Sequence, residues 1–234
     1  MHAGKLLVVG GNLHGFAAPA GAFGYAEKAG AGTVRVLLPD AIRKIVGVIL
    51  PEADYAPSTP SGSFSQKALS ELLTASAWAD GILVAGDLGR NSETAILLES
   101  FLTKHSGQIT LTKDAVDYVT SSPKTTLSRP DTLLVLSLSQ LQRLGTAAKT
   151  PTPIKFSMDL LHLVDWLHNF TTVHQPSVVV KHLDNILVAV NGQVSNTKVE
   201  TLDPIWRVKT AAAVSVWWMQ HPTQTFKALT AAMV

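Results

Sequence analysis

The chain has 234 residues, of which 46% are hydrophobic and 15% charged, with a formal net charge of +2 and no cysteine. So much apolar material fills a large core and argues against disorder. So small and dispersed a charge argues against nucleic acid as a partner, and the missing cysteines exclude disulfide and thiol chemistry.

The opening MHAGKLLVVGG does not read as a signal peptide, because Gly-Gly ends its short apolar run. No apolar run reaches the ~18 residues of a membrane span. Together with the lack of cysteine, this makes a cytoplasmic protein with no membrane partner the expectation. Lys5–Val9 reads as a buried strand. Ala18–Ala29 reads as a helix with small surfaces at Gly21 and Ala29, and Thr33–Leu38 as a second strand. Asp40 is placed to cap a helix running to about Val48. PEADYAPSTPSGS is loop-like, and Ser65–Ala75 is helical by its leucine spacing. DGILVAGDLG is a strand ending in a glycine loop. Asn91–Lys104 is an amphipathic helix with Asn91 or Ser92 near its cap. GQITLT is a strand, with a short helix from Lys113, and TSSPKTTLSRP is a polar connector. DTLLVLS is a strand and Leu138–Leu144 a short helix. Ile154–Asn169 is a longer helix, apolar on most faces and so expected to be well buried. SVVVKH and ILVAV are strands joined by a hairpin at Leu183–Asn185, with a short strand near Lys198–Leu202. Lys209–His221 and Gln224–Met233 close the chain as helices.

Strands alternate with helices throughout. This order predicts an α/β fold with a mostly parallel sheet between two helical layers and a late antiparallel hairpin. No internal repeat or linker appears, so residues 1–234 are expected to form a single domain. Ligands of such sheets sit outside the carboxyl ends of the strands. Gly10–Gly15 and Gly86–Gly89 both follow apolar strands, and are expected to face one cleft.

Gly10, Gly11 and Gly15 match neither the dinucleotide fingerprint nor a Walker loop. They serve either close backbone contact with a ligand or a tight turn. Asp87, with Arg90 and Asn91, is either an acid/base beside anion donors or a loop residue capping the next helix. His162, Asp165 and Asn169 share one helical face, as metal ligands do and as polar stripes do more often; no metal site is expected. His14, His174, His182 and His221 are isolated candidates for a general base, or surface and capping residues. Trp206, Trp217 and Trp218 read as core plus subunit interface in preference to a stacking platform. A homo-oligomer is therefore expected.

Together, VVGGN, the Gly-Ala-rich AAPAGAFGYAEKAGAG, the strand TVRVLL, VILPEADY and DGILVAGDLG resemble the ADP- or ATP-dependent NAD(P)H-hydrate dehydratase family. The resemblance implies a ribokinase-like three-layer α/β/α sandwich. It also implies removal of water from NADHX or NADPHX coupled to ATP or ADP hydrolysis, with Mg, in a homo-oligomer. It places ligand contacts at Gly10, Gly11, Asn12, Ala18, Gly86, Gly89, Ser137 and Lys181. The family's Asp-Ala-Asp-Ala falls on TKDA, with Thr112 for the first aspartate and Asp114 for the second. Its His-Pro-Gly-Glu falls on SLSQ, with Ser137 at the histidine and Gln140 at the glutamate, and its Lys-Gly on Lys181 and His182. Its late Gly-Gly-x-Gly-Asp falls on WRVKTAAAVSV, with Thr210 for a glycine and Ala211 near the catalytic aspartate. The resemblance therefore leads to a catalytically degenerate relative that keeps the fold and nucleotide or small-ligand binding. The alternative is an active dehydratase or small-molecule kinase whose site has moved to Asp87, Asp114, Lys181 and His14. Whether Arg207 and Lys209 replace the lost anion site stays open at this level.

Overall fold

A computed structural model describes residues 3–48, 50, 53–199 and 206–233. Among the described residues nine strands form one sheet: β1 (Lys5–Gly10), β2 (Thr33–Pro39), β3 (Asp54–Ala56), β4 (Gly81–Gly86), β5 (Gln108–Thr112), β6 (Thr132–Ser137), β7 (Ser177–His182), β8 (Asn185–Val190) and β9 (Gln193–Lys198). Their spatial order is β3-β2-β1-β4-β5-β6-β7-β8-β9. Pairings from β3 to β7 are parallel, and β8 and β9 add antiparallel.

The helices are α1 (Ala17–Lys28), α2 (Arg43–Val46), α3 (Leu69–Trp78), α4 (Ser92–Lys104), α5 (Asp114–Ser121), α6 (Pro123–Ser128), α7 (Leu138–Ala147), α8 (Leu160–Val173), α9 (Trp206–Gln220) and α10 (Thr225–Ala231). Within β1, Leu7 and Val9 join the core under α3, α4, α5, α7 and α8, whereas Leu6 and Val8 join the core under α1, α9 and α10. A strand buried on both faces needs apolar residues at every position, so the inner strands read as unbroken hydrophobic runs. This is the three-layer α/β/α sandwich with the expected late hairpin.

Five local expectations are corrected. Asp40 does not cap the helix after it; its carboxylate accepts from the Ser58 amide at 3.0 Å and from the Ser58 hydroxyl at 2.5 Å. The loop-like 51–63 segment contains edge strand β3, while Pro51 and Glu52 lie outside the described residues. The polar connector folds as α6, with Pro123 in its first turn and Thr126 buried. Helix α8 starts at Leu160, where Asp159 caps it, and its outer face leaves Leu161 and His162 exposed. The last strand is β9, ending at Lys198; positions 200–202 lie outside the described residues.

One buried cation organises the turn between α4 and β5. Arg129 is 6% exposed, and its guanidinium donates to the carbonyls of Leu102, His105 and Gly107 and to the chain entering β6. Beside it, burial and then the Arg129 charge pull His105 from its ordinary 6.5 down to about 4. The unfolded chain therefore binds the extra proton first. Stability is full above pH 6.5 and drains as pH falls toward 4. The loss is expected to be about 2 kcal/mol, after discounting for the ring's partial exposure. Urea melts at several pH values check this: His105→Gln should flatten the slope, and an unchanged slope would contradict the assignment.

Candidate functional site

The sheet order reverses between β1 and β4, and their carboxyl ends meet. A Cβ on Gly10 would lie 2.5 Å from the Gly86 carbonyl oxygen, and the Gly11 amide donates to that oxygen at 3.0 Å. The glycines are thus required by backbone contact between the two loops, and Gly11 (φ +87°) also needs the left-handed region. Asn12 stitches the loops further: its amide donates to the Asp87 carbonyl at 2.5 Å, and its Oδ1 accepts from the His14 amide at 2.7 Å. The two loops do face one cleft.

Asp87 itself has φ +57°. One carboxylate oxygen accepts from the Ala18 amide at 2.7 Å, in the first turn of α1, and the other pairs with Lys113 Nζ at 2.5 Å. Asp87 therefore caps α1 across the loop contact, not the helix that follows it; Asn91 caps α4 through the Glu93 amide at 2.8 Å. Lys113 holds φ 52°, ψ −132°, a region that costs a non-glycine residue about 1–3 kcal/mol. That strained residue launches α5 and turns Asp114 under the loop. Asp114 Oδ2 accepts from the Leu88 amide at 2.8 Å, while its buried Oδ1 has no partner. Burial pushes the Asp114 carboxyl up, the Leu88 amide opposes this, and the Asp87 charge adds to the rise. One turn on, the Tyr118 hydroxyl donates to the Gly89 carbonyl at 2.7 Å and accepts from the Asn91 amide at 2.8 Å.

Gln140, buried in the first turn of α7, joins the remaining walls. Its amide nitrogen donates to the Lys113 carbonyl at 2.7 Å and to Asp117 Oδ1 at 3.1 Å. Its oxygen accepts from the Ser137 amide at 3.1 Å and from Arg207 Nη1 at 2.9 Å. Asp117 also pairs with Arg143 at 2.5 Å. Burial lowers the Arg207 guanidinium, and Asp117 and Asp114 oppose that fall. Arg207 thus turns inward onto Gln140, while Lys209 is exposed.

The cleft measures about 1060 Å³, and Asn12, His14, Asp87, Gly89, Arg90 and Asp114 are among the residues that line it. Gly10, Gly11, Gly86 and Ala18 stand behind this lining, their contacts spent between the loops. Ser137 and Lys181 are register partners on β6 and β7, and the Ser137 hydroxyl caps α7; neither lines the cleft. Thr210 and Ala211 are buried well inside α9, where Ala211 is 0% exposed. His182 is buried and His221 follows α9, both outside the cleft lining. Trp218 belongs to the core at 2% exposure, whereas Trp217 is 36% exposed and stacks on His221. His162 pairs with Asp159, and no group of metal-ligating side chains exists among the described residues. Lys113, Tyr118, Asp117 and Arg143 were not singled out from the sequence. The position of Lys113 directly after GQITLT, at a strand's carboxyl end, was the available signal for it, and Tyr118 lies one helical turn beyond Asp114.

No protein-family model matches the chain, and no curated protein does. Solved structures match its fold. A ribokinase-like superfamily protein from Enterococcus faecalis is 16% identical with a TM-score of 0.74, over 99% of this chain and 76% of that one. The ADP/ATP-dependent NAD(P)H-hydrate dehydratase from Bacillus subtilis, co-crystallized with ATP and Mg2+, is 13% identical with a TM-score of 0.65, over 99% and 79%. A phosphomethylpyrimidine kinase from Clostridium difficile is 8% identical with a TM-score of 0.60, over 98% and 97%. The fold is ribokinase-like.

Proposed function

We propose that this ribokinase-like chain binds a nucleotide or a phosphorylated small molecule in the cleft between its two glycine loops and does not catalyse ATP-dependent dehydration. One observation carries the reading: the cleft is formed, while the position that the resemblance assigns to the proton-transferring aspartate is Ala211, a methyl group packed inside α9. A methyl group moves no proton, and an amide in mid-helix is already bonded within the helix. The remaining residues fit a phosphate-bearing ligand and Mg2+. Asp114 Oδ1, buried without a partner, suits a ligand hydroxyl or hydrated Mg2+. Arg90 lines the cleft and makes no ion pair among the described residues.

The test pairs binding with turnover. ATP or ADP with Mg2+ at tenfold its Kd should raise Tm by about 3–6 °C, while NADHX with the same nucleotides should show no dehydration above background. Enzymatic turnover would overturn the non-catalytic reading, and an unmoved Tm across the nucleotides would remove the binding reading. The orphaned Asp114 oxygen favours a second reading, an enzyme with a relocated acid/base. Under that reading turnover would be present and Asp114→Asn would abolish it without lowering nucleotide affinity.

The same proposal treats the chain as one cytoplasmic domain that self-associates through Trp217. Among the described residues no helix is long and apolar enough to cross a membrane. Trp217→Ser should reduce the mass seen by light scattering with little loss of Tm, whereas Trp218→Ser, in the core, should unfold the chain. An unchanged mass for Trp217→Ser would refute this interface.

A further inference from the structure

Two carboxylates flank Gly86, and each has one oxygen fixed by a backbone amide. Asp87 Oδ2 accepts from Ala18 at 2.7 Å, and Asp114 Oδ2 accepts from Leu88 at 2.8 Å. The oxygens left over, Asp87 Oδ1 and Asp114 Oδ1, are the hard donors that a divalent cation at this corner would use. The chain already supplies a cation there. Lys113 Nζ lies 2.5 Å from Asp87 Oδ1. Its stem runs against the bare Cα of Gly86: a Cβ built on that glycine would lie 2.7 Å from Lys113 Cβ, 3.2 Å from Lys113 Cδ and 2.9 Å from Asp114 Oδ1. The Lys113 charge also opposes the rise of the Asp114 carboxyl, so the ammonium acts on both acids.

The backbone is bent to deliver this group. Lys113 holds φ 52°, ψ −132°, a region open to glycine and strained for lysine. Gly86, at φ +102°, leaves the space that the stem crosses. Among the described residues the ammonium bonds only Asp87, so two of its three N–H groups stay free, and the side chain is 32% exposed. A divalent ion brought to Asp87 Oδ1 would have to displace this ammonium, a charge of its own sign. The proposed function leaves Asp114 Oδ1 to a ligand hydroxyl or to hydrated Mg2+, and Lys113 decides between them. We propose that the Lys113 ammonium is the resident cation of this corner: it stands where a divalent metal would join Asp87 to Asp114, and the cleft takes its nucleotide without a metal held by these two acids. Ligand binding at the cleft is taken from the proposed function, whereas the place of the ammonium is independent of it.

Electron paramagnetic resonance of Mn2+ added to the full chain, with no nucleotide, reads the metal place directly. The wild type should bind no Mn2+ that Asp87→Asn removes. Lys113→Gln should gain one bound equivalent and lose it again when Asp87→Asn is added. Lys113→Gly, which relieves the strained backbone, should gain the same equivalent and serves where Lys113→Gln folds poorly. Titration calorimetry with ATP then compares EDTA with Mg2+. Wild-type affinity should differ by less than about threefold between the two, whereas the Lys113 variants should bind about tenfold more weakly in EDTA and recover in Mg2+. A wild-type Mn2+ equivalent that Asp87→Asn abolishes would overturn the proposal. So would no gain of Mn2+ in either Lys113 variant, or wild-type ATP affinity about tenfold weaker in EDTA. ATP that binds in neither buffer would remove the nucleotide reading alone, and the Mn2+ result would still decide the place of the ammonium.

Discussion

Arg129→Met is expected to cost about 3–5 kcal/mol of folding stability, read by urea denaturation at neutral pH. The guanidinium is 6% exposed and fills its donors with neutral oxygens from two converging segments. Nε reaches the Leu102 and His105 carbonyls at 3.2 and 3.1 Å, and Nη2 the His105 and Gly107 carbonyls at 2.7 and 2.6 Å. Nη1 reaches the Pro130 and Asp131 carbonyls at 3.0 and 3.2 Å and the Thr132 hydroxyl at 2.9 Å. Removing the fork leaves buried carbonyls without donors, each worth about 1–3 kcal/mol. Arg129→Lys is the informative control. It keeps the charge, but a single ammonium cannot span both segments, so most of the loss should remain. A loss under about 1 kcal/mol for Met, or full rescue by Lys, would show that the fork does not hold this turn.

Gly10→Ala is expected to separate the two glycine loops, lowering stability by about 2–4 kcal/mol and nucleotide affinity more than tenfold. The added methyl would meet the Gly86 carbonyl oxygen at 2.5 Å, and neither backbone can yield without breaking the Gly11–Gly86 hydrogen bond. Gly24→Ala in α1 is the control: nothing lies within 4 Å of its added carbon, so it should be neutral or stabilise by about 0.5–1 kcal/mol. Equal effects of the two substitutions on nucleotide binding would contradict the role given to the loop contact.

The inner strands were legible because burial on both faces writes itself as an apolar run, and the loop pair was legible because Gly-Gly after such a run marks a strand's carboxyl end. Helix α6 was hidden by composition. Its Ser and Thr side chains bond back to their own helix, as Ser128 does to the Lys124 carbonyl at 2.9 Å, and a polar stretch with few leucines carries no helical period. The role of Asp40 was hidden for a different reason: a carboxylate placed to cap one helix was taken by Ser58, a partner that only the tertiary fold brings near. Gln140 shows how a motif comparison misleads. Against the family's glutamate it reads as a loss, yet its amide donates to the Lys113 carbonyl and Asp117 while its oxygen accepts from Arg207. A glutamate would offer only acceptors to those first two partners. Lys113 escaped notice because its importance lies in a strained backbone and an ion pair with Asp87, neither of which local sequence expresses.

Hydrogen exchange with and without saturating ATP and Mg2+ tests the cleft assignment most directly. The account predicts slower exchange at the amides of 87–92 and 114–121, where the loop after β4 rests on α5. Unchanged exchange in both segments, or protection confined to residues away from them, would contradict it.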